Sequence, residues 1–86
     1  MQNVDLEIER QVIKVLSDYF SVGRRKIESS SRLVEDLYMD SMSVVEIVMA
    51  LNEAFGVELP AEEVAGWRTV ADICYLVGSC RVKYLN

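Results

Sequence analysis

Apolar residues fall into three runs with a helical period, separated by stretches that lose it. Between Asp5 and Phe20 they stand at Ile8, Val12, Val15, Leu16, Tyr19 and Phe20, with Ile13 at the edge. At about 100° per residue these cover one side of a helix, and Glu7, Arg10, Lys14 and Asp18 take the other. Asp5 is placed to cap its start and Gly23 to end the pattern. From Ser41 to Phe55, the residues Val44, Ile47, Val48, Leu51 and Phe55 form a stripe wide enough to be a core face. Met42, Val45 and Met49 form a second stripe, roughly 120° around the axis. Glu46 and Glu53 lie beside it, and Asn52 closes its other side. One buried face suffices for a helix in a small domain. The second stripe is therefore either a docking face, soft apolar contacts oriented by carboxylates, or a surface buried between neighbouring helices. Periodicity leaves both readings open. Thr69-Val-Ala-Asp72 matches a helix-start capping pattern, and Val70, Ile73, Cys74 and Val77 supply a core stripe behind it. Arg81 and Lys83 suit the end of that helix dipole, and Tyr84-Leu85-Asn86 is expected to fray.

Between these runs the chain loses its period but not its apolar residues. The linker from Ser21 to Asp40 contains Arg24-Arg25-Lys26 and Ser29-Ser30-Ser31. The basic triplet reads first as solvated loop charge and second as a partner contact. Ile27, Leu33, Val34 and Leu37 are spaced to drop onto a core. Structureless loops of about 20 residues are uncommon, so an ordered loop with a short turn of helix is expected. Gly56 stops the second helix. Pro60 precedes a short acidic segment, Ala61 to Ala65, which suits about one helical turn, and Gly66 breaks it. No repeat or low-complexity tract interrupts the pattern, and residues 1–86 read as a single domain of helices joined by loops.

Composition narrows what such a domain does. With 51% hydrophobic and 27% charged residues, one Pro and four Gly, the chain is not a disordered one. A chain this short buries only roughly 60% of the surface it exposes unfolded, so the core is modest. No apolar run exceeds five residues, as in Ile47 to Leu51, so no membrane span is expected. The N-terminus lacks the basic start and apolar stretch of a signal peptide. Net charge is −5, which argues against nucleic acid. Between Leu33 and Trp67 there are eight acids and no Lys or Arg. That segment reads first as a solvated acidic face; a basic partner is the alternative. There is no His, and the two Cys, Cys74 and Cys80, sit six apart on one predicted helix. Neither a usual Zn site nor a Ser-His or Cys-His dyad can be assembled, and a disulfide between the two is geometrically unfavourable. An enzyme is not expected. The thiols point to a reducing compartment, by default the cytoplasm.

Asp40-Ser41 opens the second helix. A Ser there reads first as a plain cap. Ser43-Val-Val-Glu46 is itself a capping-box pattern, however. If capping is done there, the Ser41 hydroxyl is free at a helix N-terminus, where a phosphodiester is favoured. No base stands nearby in sequence to make it a nucleophile of its own.

The stretch from Leu33 to Phe55, Leu-Val-Glu-Asp-Leu-Tyr-Met-Asp-Ser-Met-Ser-Val-Val-Glu-Ile-Val-Met-Ala-Leu-Asn-Glu-Ala-Phe, resembles the core of acyl carrier proteins. The likeness continues through Gly56-Val-Glu-Leu-Pro60 and Thr69-Val-Ala-Asp-Ile73 and, with the first helix, covers nearly the whole chain. The resemblance implies an all-α four-helix bundle with a long loop after helix 1 and a short third helix. It implies a 4′-phosphopantetheine attached to Ser41 by a phosphopantetheinyl transferase, with acyl groups held on its thiol as thioesters. The carrier itself catalyses nothing. It is expected to be a monomer when alone, and to meet ketosynthase, acyltransferase or acyl-ligase type enzymes. Met42, Val45 and Met49 match the family's apolar docking contacts, and Asp40, Glu46 and Glu53 its acidic ones. Cargo would lie against Val34, Val44, Ile47, Leu51 and Trp67.

Several residues depart from the family's pattern. Ser43 stands where Asp is usual, Asn52 and Ala54 where acids are frequent, and Tyr38-Met39 replaces a small pair before Asp40-Ser41. Trp67 takes a place usually aliphatic and reads first as core filler. The recognition helix is less acidic, and its mouth bulkier, than in carriers of primary fatty acid synthesis. That suggests a dedicated carrier of a polyene, polyketide or protein-acylation system. A peptidyl or aminoacyl carrier is the alternative within the same chemistry, disfavoured by Tyr38-Met39. An unmodified helical interaction module is the alternative outside it.

Overall fold

The computed structural model describes the backbone of residues 6–85 and the side chains of residues 6–81. Four helices follow in order: α1 (Leu6–Phe20), α2 (Ser41–Phe55), α3 (Ala61–Val64) and α4 (Val70–Leu85), with a 3₁₀ turn at Arg24–Lys26 in the long first loop. No strand occurs among the described residues, where a lone bridge joins Arg32 and Thr69. Asp5, the expected cap of α1, lies outside the described residues, as does Asn86. The backbone is helical to Leu85, beyond the Tyr84 at which fraying is expected.

α1 packs against both α2 and α4. Val12, Leu16, Ile47, Leu51, Val70, Ile73 and Val77 are fully withdrawn from solvent at their meeting. The stripes of the three periodic runs thus share one core. Val44, Val48 and Phe55 are half-buried around it, and the Arg81 guanidinium lies 6.0 Å from the Phe55 ring centre. Tyr19 departs from the expected α1 stripe. It is 40% exposed, edge-on to the Phe20 ring at 5.1 Å, because its hydroxyl reaches across to α2. Both cysteines are free and buried, and burial pushes the Cys74 thiol up to about 11, which keeps it protonated and inert. Leu51→Ala is expected to cost about 2–5 kcal/mol, because a fully buried Leu leaves both lost transfer energy and a cavity. A thermal melt checks this, with Tm falling on the order of 10 °C or more in a domain this small.

The long loop is ordered, and its order comes from the core and from α4. Ile27, Leu33, Leu37 and Met39 are buried. Leu33 N–H donates to the Arg68 carbonyl at 2.8 Å, while Ser31 and Ser29 carbonyls accept from Val70 and Ala71 N–H at 3.1 and 2.8 Å. The Asp72 carboxylate accepts from Arg68 and Thr69 N–H at 2.8 and 3.0 Å. The first two N–H groups of α4, on Val70 and Ala71, are thereby satisfied by the loop, while Asp72 ties down the two residues before the helix.

Three expectations about the loop are corrected. Gly23 does not supply the left-handed residue that ends α1: its φ is −60°, and Ser21, at φ 57°, takes that conformation. Val34 does not reach the core and is 62% exposed. Residues 33–37 form a turn, closed by Tyr38 N–H to the Val34 carbonyl at 3.0 Å. Leu33 and Leu37 share its inner side, which turns Val34 and Tyr38 outward. Met39, read as bulk at the mouth of the site, is buried and anchors the loop.

Candidate functional site

The site is built where this loop meets α2. Asp40 is the N-cap of α2, in extended conformation, and Ser43 is its partner three residues on. The Asp40 carboxylate accepts from Ser43 N–H at 2.8 Å and from its hydroxyl at 2.6 Å, while Ser43 Oγ accepts from Asp40 N–H at 2.9 Å. Neither capping reading of the sequence is right. Ser41 is not the cap, and Ser43 acts with Asp40 before it rather than with Glu46 after it. Ser43 is the one buried polar residue among those described.

The reciprocal cap leaves Ser41 exposed as the first residue of α2, its hydroxyl unused by the cap. A helix N-terminus presents unpaired N–H groups and a positive dipole end, which suit a phosphodiester. The residues present therefore fit a phosphate-linked group on Ser41. Ser43 hydrogen bonds hold the Asp40 carboxyl below the usual range. Since its native pKa is depressed, the cap's contribution is full above the unfolded value near 3.8 and fades as pH falls through the native one. Asp36 and Asp72 are depressed likewise, by backbone N–H bonds from Arg32 and from Thr69 respectively. Stability is thus expected to fall with pH below about 4. Asp40→Asn, which keeps an accepting oxygen but not the titration, should flatten part of that fall in melts taken from pH 6 to pH 2.5.

Met42, Val45 and Met49 are 74%, 58% and 65% exposed, so this second stripe of α2 is not buried between helices. Glu46 and Glu53 are exposed beside it. Glu46 accepts a hydrogen bond from the Tyr19 hydroxyl of α1, which holds that phenol above its usual range. Sequence reading missed this contact, since the two residues are 27 apart and nothing local signals it. It also missed Asn52, whose side-chain oxygen accepts from Leu59 N–H at 3.1 Å and ties down the loop after α2. Gly56 ends α2 in the left-handed conformation, at φ 65°.

The residues expected to line a cargo pocket do not all come together. Ile47 and Leu51 are completely buried, Val44 and Trp67 are half-buried against the same core, and Val34 stands outside it. The Trp67 indole N–H is buried without a hydrogen-bond partner among the described residues.

Residues 10–77 match the family described as "Phosphopantetheine attachment site". The chain belongs to the acyl carrier protein family. It is 44% identical over 73 residues to an acyl carrier protein of Rickettsia bellii strain RML369-C, covering 85% of this chain and 84% of that one. It is 42% identical over 67 residues to one of Thermosynechococcus vestitus, covering 78% of this chain and 83% of that one. A third, of Helicobacter hepaticus, is 44% identical over 59 residues, covering 69% and 78%. The carrier thus has the family's all-α fold and a covalent 4′-phosphopantetheine, and it is a carrier rather than a catalyst. Its partners are of the family's kinds, a phosphopantetheinyl transferase and acyl-handling enzymes. Among the described residues no helix is long and apolar enough to cross a membrane.

Proposed function

We propose that Ser41 bears the arm and that residues 1–86 form one carrier domain serving a dedicated secondary acyl pathway. One observation carries the assignment: the Asp40–Ser43 cap satisfies the start of α2 and leaves the Ser41 hydroxyl exposed beside it. When bound, the arm supplies a thiol that holds an acyl group as a thioester. Ser41 anchors it at the N-terminus of α2, whose positive dipole end favours its phosphate. Asp40 and Ser43 position that turn. Met42, Val45 and Met49 offer apolar contact to the enzymes that use the arm, and Asp40, Glu46 and Glu53 orient them by charge. Val44, Ile47, Leu51 and Trp67 form the wall against which an acyl chain would lie. Ser43, Asn52 and Ala54, in places where the family often has acids, support a pathway apart from primary fatty acid synthesis, such as polyene, polyketide or protein acylation. The cytoplasm is the compartment that free, buried thiols suit. The test is intact mass after co-expression with a broad-specificity phosphopantetheinyl transferase. A gain of one phosphopantetheine, with the peptide around Ser41 carrying it, is the expected result. No gain with that enzyme or with a cognate one would favour an unmodified interaction module.

A further inference from the structure

The loop side of the Ser41 site carries a side chain that folding alone disfavours. Tyr38 has φ 60°, a region that L-residues other than Asn and Asp rarely enter. Its side chain is 82% exposed, and no hydrogen bond, ion pair or ring contact holds it among the described residues. The backbone around it is fixed from elsewhere. Leu33, Leu37 and Met39 enter the core, Met39 N–H donates to the Leu33 carbonyl at 2.9 Å, and Asp40 caps α2. The loop thus imposes a conformation suited to Gly on a residue whose ring returns nothing to the fold. Strain of this kind collects at functional surfaces.

The segment around Tyr38 is rich in exposed apolar side chains. Tyr38 and Val34 are successive outward residues of the loop turn, and Met42 follows just past Ser41. With Val45 and Met49 they make five of the eight large hydrophobic side chains exposed among the described residues. All five lie within a segment that has no Lys or Arg between Leu33 and Trp67 and eight acids. An enzyme that places a phosphoryl group on Ser41 Oγ works within three residues of Tyr38 along the chain.

We propose that Tyr38 is a specificity-determining contact for the transferase that modifies Ser41, its ring seated in an apolar recess rimmed by basic side chains beside that enzyme's active site. The inference rests on Ser41 being the attachment residue. In that reaction Ser41 Oγ forms a bond to the β-phosphorus of coenzyme A, its proton passes to the enzyme's base, and adenosine 3′,5′-bisphosphate leaves as the pyrophosphate bond breaks. Tyr38 takes no part in bond making. It contributes apolar burial, with a ring face open to an Arg or Lys of the enzyme.

The experiment measures kcat/KM for loading by the transferase of the organism that encodes the chain, with coenzyme A as donor and intact mass as readout. Tyr38→Gly and Tyr38→Asn relieve the backbone and should leave Tm equal or raise it by about 2–5 °C. The same variants should lose about 10- to 100-fold in kcat/KM, through KM, as expected for one buried aromatic. Tyr38→Phe should restore most of the loss, and Tyr75→Ala, an exposed aromatic on α4, should change nothing. Opposite signs in Tm and loading separate docking from a structural role. Loading of Tyr38→Gly and Tyr38→Asn within twofold of wild type, or a loss that tracks a falling Tm, overturns the inference. Ser41→Ala in parallel keeps the two readings apart: if it still gains the arm, the attachment site is wrong and not merely the contact.

Discussion

Ser41→Ala is expected to abolish the gain of one phosphopantetheine while leaving the fold intact. The two halves of that expectation have separate physical grounds. The hydroxyl is the only atom lost, and it is the atom that would bond to phosphorus. The cap of α2 belongs to Asp40 and Ser43, so removing Ser41 Oγ breaks no hydrogen bond of the cap. Surface changes of this sort usually stay within about 0.5 kcal/mol, so Tm should move by no more than a few degrees. Intact mass reads the first half and a melt reads the second. An unloaded variant that has also unfolded would not support the assignment, and Asp40→Ala offers the contrast. It removes the cap and should lower Tm, yet it leaves the hydroxyl in place.

The second large effect is expected at Glu46. Reversing its charge by Glu46→Arg should lower kcat/KM for loading or for acyl transfer by about 100-fold or more. A like charge set against a basic partner costs several kcal/mol, and each 1.4 kcal/mol is about tenfold. The fold should tolerate the change, because Glu46 is exposed and its partner, the Tyr19 hydroxyl, can turn to water. Glu46→Gln serves as the graded control: it keeps an acceptor for Tyr19 and removes only the charge. A smaller loss with Gln than with Arg, growing at low salt, would identify the effect as electrostatic. Full activity in Glu46→Arg would sink the docking reading of this face and leave the apolar stripe to act alone.

α2 shows how far sequence reading reaches in this carrier. Its bounds, Ser41 to Phe55, and its two stripes follow from spacing, because apolar residues at helical intervals bury one face whatever the neighbours are. What spacing left open was the fate of the second stripe. Burial depends on where α1 and α4 lie, and only the packed structure shows Met42, Val45 and Met49 facing outward. The cap is a similar case. Asp40, Ser41 and Ser43 are all competent capping residues, and the choice among them turns on a backbone conformation that the preceding loop imposes.

The loop is where sequence reading fell shortest. Its apolar residues were recognised as anchors, yet Val34 points away from the core and Met39 points into it. The reason is that residues 33–37 coil into a turn whose inner side holds positions 33 and 37, a periodicity too short to detect in one turn. Ser21 rather than Gly23 adopts the left-handed conformation because α1 ends at Phe20, so the turn falls one residue later whatever stands there. The sequence by itself determined the helices, the shared core, the acidic tract without bases and the Asp-Ser pair opening α2. These depend on residue type and on spacing within one element. Tertiary structure decided which hydroxyl is left free, which stripe meets solvent, that Tyr19 holds Glu46 and that Tyr38 is strained and outward. Those outcomes depend on contacts between segments distant in the chain, which no local pattern encodes.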